Sequence, residues 1–139
     1  MLDQNDYNKR LIHEFRAERG KSGGTMTGRP LLLLTTTGAK SGQTHTTPMM
    51  FIADGNRLLV IASNAGAEKA PDWYHNLLAH PEVTVEVGAE TYDATAVVLE
   101  GEERDKLWAM VTEQYPFFAE HQEKVTRRIP VVALERGAS

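Results

Sequence analysis

The stretch RPLLLLTTTGAKSGQTHTTPMMFIADGNRLLVIAS, Arg29 to Ser63, decides the fold. Its first run, Arg29 to Thr37, is rich in leucine and β-branched threonine, which predicts a buried strand. Gly38 to Gly42 predicts a tight turn, and Thr44 to Ala53 a second strand. Asp54-Gly55 is a strong hairpin signal leading into a third strand, Arg57 to Ser63. Connections this short require antiparallel pairing.

The same grammar continues downstream. Asn64 to Ala70 reads as a loop, and Pro71 sits where a helix begins, predicting a short helix from Asp72 to Ala79 that Pro81 ends. Val83, Val85 and Val87 alternate as a strand, Gly88-Ala89 turns, and Thr91 to Leu99 returns. A helix is predicted over Gly101 to Tyr115, with Leu107, Val111 and Tyr115 on one side, and a last strand over Ile129 to Leu134. Upstream, Asp3 to Arg19 reads as an amphipathic helix. Tyr7, Leu11 and Phe15 form its apolar face, widened by Ile12. Gly20 to Gly28 (GKSGGTMTG) reads as a flexible linker. About six mostly antiparallel strands with three or four helices predict an α+β domain, a barrel or strongly coiled sheet with helices at its ends. Residues 1–28 are expected to form the N-terminal helix and linker, and 29–139 the barrel domain.

Composition narrows the function. With 139 residues, 41% of them hydrophobic, the chain supports one core. A net charge of −4 argues against nonspecific nucleic-acid binding, and the absence of cysteine excludes disulfides, thiolate metal sites and a cysteine nucleophile. No apolar run has membrane-spanning length, and no signal-peptide core follows Met1, so a cytoplasmic location is expected. The N-terminal helix is expected to pack on the core; a weak peripheral membrane contact is the alternative. His13, His45, His75, His80 and His121 show no zinc-ligand spacing, so no metal site is predicted, and there is no G-x-S-x-G elbow.

The chemistry concentrates around the Gly38–Gly42 turn. Backbone N–H groups freed by glycine beside Lys40 suit an anion, most often a phosphate, although turn chemistry alone would also allow this sequence. Thr44, Thr46 and Thr47 continue the donors beside His45, and Pro48 belongs on an edge strand. The small residues Ala62 to Ala67 would let a flat ligand lie against backbone. Trp73 and Tyr74 open a helix whose N-terminus carries partial positive charge; they read either as core or as a wall around an aromatic cofactor.

GxKSGxxxxxP, then DG, then the V-I-A-S strand end, then PxWYxNLxAxPEV resembles the deazaflavin-dependent nitroreductase family across roughly Asn8 to Glu135. The resemblance implies a split β-barrel, related to flavin-binding oxidoreductases, that uses coenzyme F420. It implies that Ala39, Lys40, Ser41, Gly42, His45, Thr46, Thr47, Pro48, Met49 and Met50 hold the coenzyme's phosphate and acidic tail. Ile61, Ala62, Ser63, Asn64, Asp72, Trp73, Tyr74, His75 and Asn76 would frame the ring. Ser63 and Tyr115 are the implied catalytic groups, with Met50, Tyr115, Phe118 and His121 lining the substrate pocket. Where many members carry arginine this chain has Ala39 and His45, and where many carry lysine it has Asn64. The implied reaction is hydride transfer from reduced F420 to an activated enone or lactone, a quinone or a nitroaromatic. An FMN-binding oxidoreductase of the same fold, or a non-catalytic F420 carrier, are the alternatives.

Overall fold

The computed structural model describes residues 4–17, 25–26 and 29–136. Eight strands and four helices follow in the order α1 (Gln4–Ala17), β1 (Thr25–Met26), β2 (Arg29–Thr37), β3 (Thr44–Met50), β4 (Ile52–Asp54), β5 (Arg57–Ile61), α2 (Asp72–Ala79), β6 (Glu82–Val87), β7 (Glu90–Val98), α3 (Gly101–Gln114), α4 (Phe117–Glu123) and β8 (Val131–Arg136). Every pairing is antiparallel. Six of the strands have five or more residues, the number anticipated from the turn signals. The two short ones are where expectation and structure part. Thr25–Met26, inside the anticipated linker, pairs with Arg29 and Pro30; the other residues of 18–28 lie outside the described set. The anticipated strand Thr44–Ala53 is broken at Phe51 into β3 and β4.

That break curls the sheet. The strand order runs β3-β2-β6-β7-β8-β5-β4, so consecutive segments of chain occupy opposite edges. One residue, Phe51, separates them, and so short a link cannot cross an open sheet. The sheet must roll until its edges approach, giving a split β-barrel. Pro48 lies in the edge strand β3 opposite Leu33, where the missing N–H costs no ladder bond.

Period-two alternation then sorts the side chains. Leu32, Leu34, Val60, Val83, Val85, Ala94, Ala96, Val132 and Leu134 fill the interior, and Trp73 and Leu77 of α2 close over them. Leu59, Ile61, Val131 and Ala133 point the other way, under Leu107 and Val111 of α3 and Phe118 of α4. Strands β5 and β8 are therefore buried on both faces, which explains their unbroken apolar runs. Helix α4 went unforeseen because Pro116 separates it from α3 and its seven residues are too few to show a period.

The register places Thr37, Thr44, Ile61, Glu82, Val98 and Val131 at one end of the barrel. The Gly38–Gly42 turn and the loop after β5 emerge there. Helix α1 covers the outside of the barrel near β3. The Arg16 guanidinium donates to both carboxylate oxygens of Glu86, at 3.1 and 2.8 Å, which raises the Arg16 pKa through the hydrogen bond. The Glu86 side chain is only 9% exposed, whereas that of Arg16 is 48% exposed. Half-exposure moderates the cost of breaking this pair, so Arg16→Ala should destabilise by about 1–2 kcal/mol. The check is a fall in urea midpoint at unchanged slope; an unmoved midpoint would mean that α1 adds nothing to the cooperative unit.

Candidate functional site

The turn between β2 and β3 is closed by its own backbone: Gly38 N–H donates to Gln43 O at 2.7 Å and Gly42 N–H to Gly38 O at 3.0 Å. Ser41 Oγ accepts from Gln43 N–H at 3.2 Å. A Cβ on Gly38 would lie 2.6 Å from Ser41 Oγ and 3.2 Å from both Gln43 O and His45 Nε2, so a larger residue there would have to displace the Ser41 hydroxyl that braces the turn. The Lys40 side chain is exposed, and no partner holds its amine, its N–H or the Ser41 N–H among the described residues.

Asn76 orients the turn. Its Oδ1 accepts from Ala39 N–H at 3.0 Å, and its Nδ2 donates to Thr36 Oγ1 at 3.2 Å. One amide on α2 thus holds both the turn and the strand that feeds it. Thr36 is 1% exposed and was not singled out by sequence.

The loop after β5 is held from the other side. Arg127 donates to three carbonyls: Ala62 O at 3.1 Å, Ser63 O at 3.0 Å and Ala67 O at 3.1 Å. Glu68 accepts from Thr126 N–H at 2.7 Å and from its hydroxyl at 2.9 Å. Asn64, at φ 48°, donates to Lys69 O. Gly66, at φ +84°, lets the loop rest on α4: a Cβ there would meet Lys124 Cδ at 3.3 Å and His121 Cα at 3.4 Å. In this frame His121 Nδ1 lies 3.3 Å from Ser63 Oγ. Burial is the main cause lowering the His121 pKa, aided by Lys124 and opposed by Glu120. Burial raises the pKa of Tyr74, and the nearby Arg127 pulls it partly back.

The structure therefore groups the anticipated residues in two sets, the turn with Asn76, and Ser63 with His121 and, one ring further, Tyr115. That ring is Phe117, which stands 5.9 Å from Tyr115 and 5.5 Å from His121. Other anticipated residues are placed differently. Trp73 and Ala62 belong to the barrel core, Ile61 and Phe118 to the outer core. Asp72 and His75 are exposed on α2. Along β3 the side chains alternate. His45, Thr47 and Met49 lie opposite Thr36, Leu34 and Leu32, while Thr46, Pro48 and Met50 lie on the other face. Thr46 there shares a 2.8 Å hydrogen bond with Thr35. Arg127, Glu68, Thr36 and Phe117 escaped the sequence reading. Only Gly66, within the run of small residues, carried a usable signal.

Among the described residues no three His, Asp or Glu side chains gather as a metal site, and no helix is long and apolar enough to cross a membrane. A groove of about 460 Å³ lies along the sheet, lined by residues that include Thr35, Thr37, Thr84 and Thr95 with Glu82 and Asp93. Its carboxylates make it a poor place for an anion.

Known proteins resemble this chain in sequence and fold. The chain is 38% identical over 126 residues to an F420H(2)-dependent quinone reductase of Mycobacterium tuberculosis, covering 88% of this chain and 85% of that one. A solved F420-H2 dependent reductase is 44% identical, covers 77% of this chain and 95% of that chain, and superposes with a TM-score of 0.70. HutZ, a heme storage protein of Vibrio cholerae, shares the fold alone, at 19% identity over 94% of this chain and 91% of that one, with a TM-score of 0.61. Residues 8–136, from within α1 to the end of β8, match the family described as F420H(2)-dependent quinone reductase, and the chain belongs to that family.

Proposed function

We propose that this protein is an F420H2-dependent reductase that passes a hydride to a quinone. The observation that carries the reading is the Asn76 amide. It ties a lysine-bearing turn with unengaged donors to the helix that closes the same barrel end where the Ser63 loop emerges. The donor set fits an anionic coenzyme arm. The Lys40 amine supplies charge, the N–H groups of Lys40 and Ser41 supply direction, and Gly42, at φ +72° with open space around it, lets backbone approach closely.

When bound, the deazaflavin supplies a hydride from carbon rather than single electrons. The work left to this chain is binding, orientation and charge. The Lys40 turn would hold the phosphate and acidic tail, and the start of α2 would favour negative charge nearby. Ser63 and Tyr115 would donate to the oxygen of an acceptor that has gained a hydride. Phe117, between Tyr115 and His121, supplies an apolar wall suited to a planar ring.

Titration of F420 and FMN separately against intrinsic tryptophan fluorescence, followed by turnover with reduced F420 and a panel of quinones, enones and nitroaromatics, tests the reading. F420 binding and quinone-dependent oxidation of its reduced form are expected. Tight binding with no oxidation by any acceptor would instead indicate a carrier. Lys40→Ala should weaken F420 about tenfold, the size of one lost charge-assisted contact, and should flatten the salt dependence of binding. Asn76→Ala should weaken F420 comparably with little change in salt dependence, because it frees the turn without removing charge. Tyr115→Phe should lower turnover at least several-fold and leave F420 affinity alone; equal turnover would remove the Tyr115 hydroxyl from the reaction.

A further inference from the structure

We infer that His121 is a positioning residue that acts through Ser63, conducting a proton from solvent to the Ser63 hydroxyl and on to the reduced acceptor. The inference rests on the reductase reading and deepens it.

Ser63 is 6% exposed, so its hydroxyl sits largely out of water. Its 3.3 Å partner His121 is only half-buried, on a helix that solvent reaches. The carbonyl of Ser63 is taken by Arg127 and by Gly66 N–H, at 3.0 and 2.9 Å. The backbone of Ser63 is thereby pinned, and its hydroxyl hydrogen is left as the freedom the imidazole controls. A neutral Nδ1 accepts from the hydroxyl, whereas an Nδ1–H turns it around, so the Ser63 proton can point to a ligand oxygen.

The step balances. A quinone that has accepted a hydride has gained an electron pair and is a quinol monoanion, short of one proton. The Ser63 O–H bond breaks as its proton joins the quinol oxygen, and the Nδ1–H proton of His121 replaces it on Oγ. Neutral His121 then regains a proton from water. The reduced coenzyme loses one proton to solvent overall, which balances the one His121 takes up. Depression of the His121 pKa by burial makes the imidazolium a stronger acid toward a phenol-like oxygen. The charged groups acting on the ring from α4 and the residue that follows it are Glu120 and Lys124. From the adjoining segments come Ser63 and, beyond its carbonyl, Arg127, with Tyr115 across Phe117.

The sign follows from the lowered pKa. The donor form fills as pH falls through a midpoint below the ordinary histidine value, so turnover should rise toward acid. Nitrogen-15 NMR of the coenzyme-free protein gives the His121 midpoint, and reduction of a quinone by reduced F420 gives the rate profile. Above that midpoint the rate should fall about tenfold per pH unit until water supplies the proton instead. Lys124→Gln removes a charge that disfavours the imidazolium, so it should move the NMR midpoint and the kinetic limb upward together. His121→Gln should flatten the profile to within about twofold while the F420 titration stays unchanged. Persistence of the limb in His121→Gln overturns the proposal, as does a Lys124→Gln protein whose NMR midpoint moves and whose kinetic limb does not. Should His121→Gln fail to fold, the Lys124 pair of measurements still decides. A wild-type protein that fails to oxidise reduced F420 with any quinone tried overturns the reductase reading itself, and the relay with it. A flat Lys124 response in an active enzyme sinks the relay alone.

Discussion

The Arg127 guanidinium, held against the carbonyls of Ala62, Ser63 and Ala67, is the constraint on which the site depends. Hydrogen bonds from a charged donor contribute roughly 1.5–3 kcal/mol each, and three on one planar group fix a loop that has little side-chain mass of its own. Ala62 and Ser63 are buried, but Asn64, Ala67, Glu68 and Lys69 beyond them are exposed, so hydrogen bonds do more than packing to shape that part of the loop. Glu68 secures the same junction with Thr126, so the loop and the segment after α4 are tied at two points. The Ser63–His121 contact lies beside this junction.

Asn76 plays the matching part across the barrel mouth. A side-chain amide is one of the few groups that can satisfy a backbone N–H and a hydroxyl at once, with acceptor and donor a fixed distance apart. Both partners sit on a rigid element or next to one, so the turn is pre-organised before any ligand arrives. That lowers the ordering cost of binding. It also explains how the lysine-bearing bend, exposed and poor in packing, keeps a defined shape. On a protein of net charge −4, the exposed Lys40 is a local positive feature against an acidic background, which favours capture of an anion at that place over the rest of the surface.

Much of the barrel was legible because its signals are local. Asp54-Gly55 marks the hairpin whose two-residue turn is Gly55-Asn56, Gly88-Ala89 is the turn of the next, and the α2 boundaries follow from Pro71 and Pro81. The break at Phe51 was not legible, since Thr44 to Ala53 is one continuous strand-like run. What divides it is the demand that β3 pair with β2 while β4 pairs with β5, a condition among residues far apart in sequence. In the site, the lysine turn, Ser63 and Asn76 stood out from residue type and from family resemblance. Arg127 did not, because an arginine's partners are carbonyls present at every residue, and nothing in an Arg127-Arg128 pair says which of the two turns inward.

By itself the sequence determined the alternation of strands, the positions of the tight turns and the anion-suited chemistry of the Gly38–Gly42 bend, each set by backbone sterics and side-chain type within a few residues. Tertiary structure alone decided that Trp73 fills the core, that α4 exists as a separate helix, and that His121 meets Ser63 across 58 positions of chain. Contacts of that kind depend on how the sheet rolls and which carbonyls Arg127 can reach, and no short window of residues carries that information.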